Sequence, residues 1–163
     1  MVGSGAGTLD GMRLVVGSDH AGIELKAAVA DHLRAAGHDV TDLGTHDGSS
    51  VDYPDYGAAV GRAVVGGEAD LGVAVCGSGI GIGIAANKVP GVRAATVHDV
   101  TSARLAREHN DANVLCLGQR LTGVQVALDA VDAWLAATFG AGRHQGRIDK
   151  INALEQSAPA PSR

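Results

Sequence analysis

The sequence predicts an α/β fold built on a five-stranded parallel sheet, and three observations point there. Short apolar runs alternate with helix-period segments along nearly the whole chain, as repeated βαβ units require. Aromatic residues make up only 2% of the chain, so the core must be built from Val, Leu, Ile and Ala. That suits aliphatic sheet-and-helix layers better than an aromatic-rich sandwich. The 163 residues, 45% of them apolar, are enough for one domain with a sizeable core, expected over 12–156.

Arg13–Ser18 is the first strand, a short apolar run. Gly22–Ala36 has helical spacing, with Ile23, Leu25, Val29 and Leu33 apolar and Gly37 as its stop. His38–Leu43 reads as the second strand. Tyr53–Val65 is a helix with Pro54 in its first turn, where a missing N–H costs nothing. Leu71–Val75 is a fully apolar third strand ending at Cys76, and Ile80–Lys88 the helix after it. Val92–Val97 and Asn113–Leu117 are the remaining strands. Val100–His109 is the helix between them, and Val124–Thr138, with Trp134, the helix after the fifth. Arg143–Gln156 is a last, more polar helix. Residues 1–11 are Gly/Ser-rich and aperiodic, which predicts a disordered leader with Met12 as the natural start; 157–163 read as a flexible tail.

Right-handed crossovers then give a parallel sheet, and open sheets of this kind bind ligands outside the carboxyl ends of their strands. Four chemically suggestive segments fall at those ends: Ser18-Asp19-His20, Cys76-Gly77-Ser78-Gly79, His98-Asp99 and Gly118-Gln119-Arg120. Net charge is −5 and no Lys/Arg run occurs, which argues against nucleic acid as a partner. No apolar segment approaches the ~20 residues needed to span a bilayer. No secretory pattern opens the chain, and two cysteines fit a reducing cytosol, so a cytoplasmic protein is expected.

The most informative stretch is LGVAVCGSGIGIGIAANK over 71–88. A buried strand delivers Cys76 to the start of a glycine-rich turn, and that turn opens a helix. Its first N–H groups are unpaired and partly positive, so a phosphate, carboxylate or enediolate would be held there. Close helix–strand packing is an equally good account of the glycines alone. The turn lacks the Lys-Ser/Thr ending of a nucleotide loop, and the region about 20 residues on, where a dinucleotide site expects its acidic residue, holds His98 and Asp99 at the end of a different strand. Cys76 faces the helix N-terminus, a setting that favours thiolate and fits a base or a nucleophile. Cys116, inside an apolar strand, reads as a small buried hydrophobe.

No Cys-protease or phosphatase signature accompanies Cys76, so proton abstraction fits better than covalent catalysis. Of seven histidines, His32, His38 and His46 read as solvated surface groups. No Cys/His cluster or H-E-x-x-H pattern argues for a metal. His20 opens a helix after Asp19. His109 closes one, where the helix C-terminus stabilises imidazolium; it reads as a proton donor or as an ordinary cap. Arg143 and Arg147 lie one turn apart, either a solvated basic face or a phosphate clamp.

Together these segments resemble one family. GSDHAG at 17–22, DYP at 52–54, CGSGIGIGIAANK at 76–88, GVRAA at 91–95, HNDANV at 109–114, GQR at 118–120 and GRHQGR at 142–147 are similar to ribose-5-phosphate isomerase type B, in order over about 13–156. The wider family includes galactose-6-phosphate isomerase subunits and tetrulose-phosphate isomerases. The resemblance implies a Rossmann-like three-layer α/β/α sandwich, working as a homodimer or dimer of dimers with the active site shared between subunits. It implies interconversion of ribose 5-phosphate and ribulose 5-phosphate in the pentose phosphate pathway, with no metal or cofactor. By the same resemblance Cys76 is the base, and Ser78 with the backbone of Gly77, Gly79, Ile80 and Gly81 holds the enediolate. His109 opens the ring, Asn110 and Asp19 bind sugar oxygens, and Tyr53 lines the pocket. His20, Arg120, Arg143 and Arg147 hold the phosphate. Many members carry Thr where this chain has Ser78, which keeps the hydroxyl; members that replace the cysteine with Glu differ from this chain at Cys76.

Two other readings stand beside this one. The same chemistry on a four- or six-carbon sugar phosphate is favoured if His98 reshapes the pocket end. A non-catalytic sugar-phosphate sensor on the same fold leaves Cys76, His109 and Asp19 without a role.

Overall fold

The computed structural model describes residues 11–157 and Pro159; the predicted leader over 1–10, and residues 158 and 160–163 of the predicted tail, lie outside the described residues. The elements run β1 (Arg13–Ser18), α1 (Ile23–Ala35), β2 (Asp39–Asp42), α2 (Tyr53–Val65), β3 (Leu71–Cys76), α3 (Ile80–Ala86), β4 (Ala94–Thr96), α4 (Val100–Asn110), β5 (Val114–Gly118), α5 (Val124–Ala136) and α6 (Gln145–Gln156). The five strands form one parallel sheet in the order β2-β1-β3-β5-β4.

Handedness sorts the helices into layers. Connections of one hand that step opposite ways along a sheet must cross opposite faces. The steps β1 to β2 and β4 to β5 run one way, and α1 and α4 share a face with α5. The steps β2 to β3 and β3 to β4 run the other way, and α2 and α3 cover the second face. The core divides accordingly. Leu14, Val16, Val73, Val75, Leu115 and Leu117 pack on Leu25, Val29, Leu33, Ala103, Ala127, Val131 and Trp134. Val15, Ala74, Cys76, Val114 and Cys116 pack on Val60, Val64, Ile82 and Ala86. The alternation along β3 and β5 is the two-residue period of a strand buried on both faces.

Several predicted boundaries shift, each for a local reason. The predicted Gly22–Ala36 helix is preceded by a 3-10 turn over His20–Gly22, because the Asp19 carboxylate accepts the Ala21 N–H at 3.0 Å and tightens the entry. α3 stops at Ala86 instead of Lys88, because the Asn87 side chain turns to β4, donating to the Ala94 carbonyl (2.9 Å) and accepting its N–H (2.8 Å). β4 is three residues, shorter than the predicted Val92–Val97, since the Arg93 N–H goes to the Asn113 side chain (2.8 Å). α4 runs one residue past His109 to Asn110, with Asp111 in the left-handed region (φ 45°) as its cap. Arg143 lies in a 3-10 turn before α6 and not within the helix.

Two side chains find partners that their sequence positions do not indicate. His32, expected to be solvated, lies 2.7 Å from Asp132 of α5 through Nε2. Lys26, on the apolar side of α1, is 2% exposed, and its ammonium donates to Asp42 (2.9 Å) and the Thr45 carbonyl. That contact anchors the loop after β2, which pairs with the end of β1 through Ser18 N–H to the Gly44 carbonyl and Thr45 N–H to the Ser18 carbonyl, both 2.7 Å.

Candidate active site

The helix after β3 leaves on the opposite face from those after β1 and β5, so the chain diverges on both sides of the β3 carboxyl end. A cavity of about 300 Å³ opens there, where open α/β sheets place ligands. Asp19, His20 and Ala21 line it from the end of β1, Tyr53 from the start of α2, and Cys76, Gly77, Ser78 and Gly81 from the β3–α3 turn. Arg120 and Leu121 come from the end of β5.

The turn is shaped around the thiol. Cys76 is 4% exposed, and the Gly79 N–H donates to its Sγ at 3.1 Å. Gly79 has φ 77°, and a Cβ there would meet the Leu117 carbonyl carbon at 2.8 Å, so only glycine carries its N–H to the sulfur. The Ser78 hydroxyl accepts the Ile80 N–H at 3.2 Å. A Cβ on Gly81 would fall 2.6 Å from the Tyr53 ring, so the phenol lies directly over the glycine. Two bonds tie this turn to the one after β5: Gln119 N–H to the Cys76 carbonyl (2.9 Å) and Arg120 N–H to the Gly77 carbonyl (3.0 Å). Gln119 also accepts the Leu25 N–H through Oε1 at 3.0 Å, pinning the loop to α1.

The side walls are polar and oriented. Asp19 is 6% exposed, its Oδ1 held by the Ala21 N–H. His20 accepts the Val51 N–H at Nδ1 (3.1 Å), which leaves Nε2 as the ring's donor. Cys116 sits on the same sheet face on the next strand. Full burial, with a smaller contribution from Cys76, pushes its thiol up to about 12, so it stays protonated.

Six of the predicted site residues do not line this cavity: Gly79, Ile80, His109, Asn110, Arg143 and Arg147. His109 stacks on His144, ring centroids 4.4 Å apart and planes 15° from parallel, in a hollow also lined by Glu108 and Arg143. Partial desolvation, and then His109, Arg143 and Arg147, lowers His144 from the ordinary imidazole value, which favours its neutral form beside the arginines. Asn110 faces a third hollow between β4 and α6. Gly79 and Ile80 are set back from the cavity, their N–H groups given to the Cys76 sulfur and the Ser78 hydroxyl; the Ile80 side chain is 53% exposed. His98 is exposed and does not line the Cys76 cavity. Ala21, Leu121 and the His144 stack were not anticipated. The first two follow from chain adjacency to His20 and Arg120, whereas nothing in the sequence pairs residues 109 and 144.

Chemically, the cavity offers a thiol beside a turn of N–H groups, a carboxylate, an imidazole donor and one guanidinium. The second group offers imidazoles and two further cations. Proton transfer on an anionic polyol fits this inventory.

The comparisons with known proteins agree. A model of the Ribose/Galactose Isomerase family matches residues 14–151. The chain is 46% identical to ribose-5-phosphate isomerase B of Escherichia coli (strain K12) over 144 residues, 88% of this chain and 97% of that protein. A solved ribose-5-phosphate isomerase B from Clostridium thermocellum superposes with a TM-score of 0.89 at 53% identity, covering 90% of this chain and 99% of that one. A Mycoplasma genitalium ribose-5-phosphate isomerase B, solved with bound ribulose-5-phosphate, superposes with a TM-score of 0.85 at 42% identity over 89% and 97% of the two chains. With motifs, topology and cavity in agreement, the chain belongs to the Ribose/Galactose Isomerase family.

Proposed function

We propose that the protein interconverts D-ribose 5-phosphate and D-ribulose 5-phosphate, with Cys76 as the base. The observation that carries this reading is the cysteine itself: nearly buried at the end of β3, accepting a backbone N–H, at the lip of a glycine turn that opens a helix. On the open-chain aldose, the Cys76 thiolate takes the proton from C2, giving an enediolate. N–H groups of the turn and the Ser78 hydroxyl stabilise its oxygens, and the proton returns to C1 while one passes between O2 and O1. Asp19 binds sugar hydroxyls. His20 and Arg120 hold phosphate from this side, and anchoring there fixes the short sugar in reactive geometry.

His109, Asn110, Arg143 and Arg147 complete the site from a second copy of the chain. This reading is supported by their separation from the Cys76 cavity and by exposed apolar side chains suited to a partner, Tyr53 and Leu121 lining the cavity and Ile80 and Ile84 on the neighbouring α3. The two free cysteines suit a reducing cytosol, and residues 12–156 act as one domain. Among the described residues no helix is long and apolar enough to cross a membrane.

Replacing Cys76 by Ala tests the assignment. Isomerisation of ribose 5-phosphate is expected to fall about a thousand-fold with the melting curve unchanged, as loss of a general base requires; full activity in the variant overturns it. The family match keeps one second reading, a phosphorylated hexose. Comparing kcat/KM for four-, five- and six-carbon sugar phosphates decides between them, and the five-carbon substrate is expected to lead.

A further inference from the structure

Arg93 lines the hollow that Asn110 faces, and its guanidinium makes a dense set of hydrogen bonds there. It precedes β4, and its side chain is 18% exposed. Nε donates to the carbonyls of Asn110 (3.1 Å) and Asp111 (3.2 Å), and Nη2 donates to the Asp111 carbonyl (3.0 Å). Nη2 also lies 3.5 Å from the Asp111 carboxylate. Nη1 reaches Asn152 of α6 at 3.4 Å.

The backbone of the same loop is held as firmly. The Arg93 N–H goes to Asn113, the Asn113 amide donates to the Gly91 carbonyl at 2.9 Å, and the Gly91 N–H donates to Glu155 of α6 at 2.8 Å.

The final carbonyls of a helix have no partner within it, and a cation there also meets the negative end of the dipole. Arg93 supplies both to α4, whose last two residues are His109 and Asn110. On its other side it holds α6, which carries Arg147, follows directly on Arg143 and His144, and has Ile148 as its one buried residue. One planar guanidinium thus ties the element bearing the proposed ring-opening acid to the element bearing the proposed phosphate cations. A lysine's point charge cannot reproduce that three-way fork.

We infer that Arg93 is a positioning residue of the isomerase: it fixes the distance between His109 with Asn110 at the end of α4 and the Arg143–Arg147 cations leading into and along α6. This rests on the ribose 5-phosphate reading above. Arg93 reaches no substrate, so its effect passes through those residues, and it leaves the Cys76 cavity alone.

The test uses the full chain with Arg93→Lys and Asn152→Ala, melting curves recorded for both. Ring opening is needed to turn the cyclic aldose over. It is not needed for the open-chain ketose to exchange its C1 proton with solvent deuterium at Cys76. Arg93→Lys is expected to lower kcat from ribose 5-phosphate by about ten- to a hundred-fold, the scale of an ångström of misplacement. Exchange at C1 of saturating ribulose 5-phosphate should fall no more than about threefold. Asn152→Ala, which frees α6 alone, is expected to raise KM and the inhibition constant of inorganic phosphate together by about tenfold, with kcat nearly kept. If Arg93→Lys does not fold, Asn152→Ala decides. Wild-type constants in both variants, or exchange lost in proportion to turnover, overturn the proposal while leaving the isomerase reading in place. A wild-type protein that isomerises no sugar phosphate overturns both.

Discussion

Cys76 and Cys116 lie on neighbouring strands and on the same face of the sheet, and what separates them is position along the strand. Cys116 is paired opposite Ala74 in mid-ladder and fully buried, and its thiol stays neutral. Cys76 ends its strand and borders the cavity with a backbone N–H on its sulfur. Iodoacetamide on the native protein at pH 8 should therefore label one thiol, Cys76, and a saturating sugar phosphate should protect it; after unfolding, both should label. Mass mapping of the labelled peptides checks this, and labelling of native Cys116 contradicts it. The sequence already distinguishes the two cysteines, because strand end and strand middle are legible from the glycine turn. It does not reveal Lys26 in the core or the His109–His144 stack. Those depend on partners 16 and 35 positions away, which periodicity does not encode.

At the scale of elements, β3, the glycine turn and α3 act as one piece. Gly79→Ala places a Cβ in the left-handed region against the Leu117 backbone, which cannot yield. It should cost at least about 2 kcal/mol of stability as well as most of the activity. Gly81→Ala meets only the Tyr53 ring, which can swing away, so stability should hold while KM rises as the ring is displaced into the cavity. Denaturant titration paired with steady-state kinetics separates the two; equal stability losses would mean the turn is looser than described. All five strands and the helices between them were readable from hydrophobic alternation, because aliphatic runs bounded by glycine leave little ambiguity. The ends were not. Asn87 and Asn113 stop α3 and shorten β4 with side-chain amides that mimic backbone, and no propensity rule foresees which asparagine will do so.

For the whole molecule, the parallel sheet was legible but its order was not. That β4 lies outside β5 depends on which face each connection crosses. The resemblance implies a site shared between subunits, but periodicity and spacing do not show that Cys76 falls in one hollow and His109 in another. A site shared across a two-fold pair makes a quantitative prediction. Mixing Cys76→Ala with His109→Ala chains, both inactive alone, and allowing subunits to exchange should restore about a quarter of wild-type activity, because half the pairs are hybrids with one intact site each. No recovery after confirmed exchange would place His109 and Cys76 in the same chain's site.

The contact between Asn87 and Ala94 has a further consequence. Ala94 lies in β4, at the margin of the sheet, and the asparagine amide occupies both its N–H and its carbonyl. At the opposite margin β2 is four residues long and carries Asp39 and Asp42. One rim is thus capped at Ala94 and the other is short and acidic, and both features oppose the addition of another strand to the sheet edge. Self-association is left to helix and loop surfaces, where it can close on itself and stop.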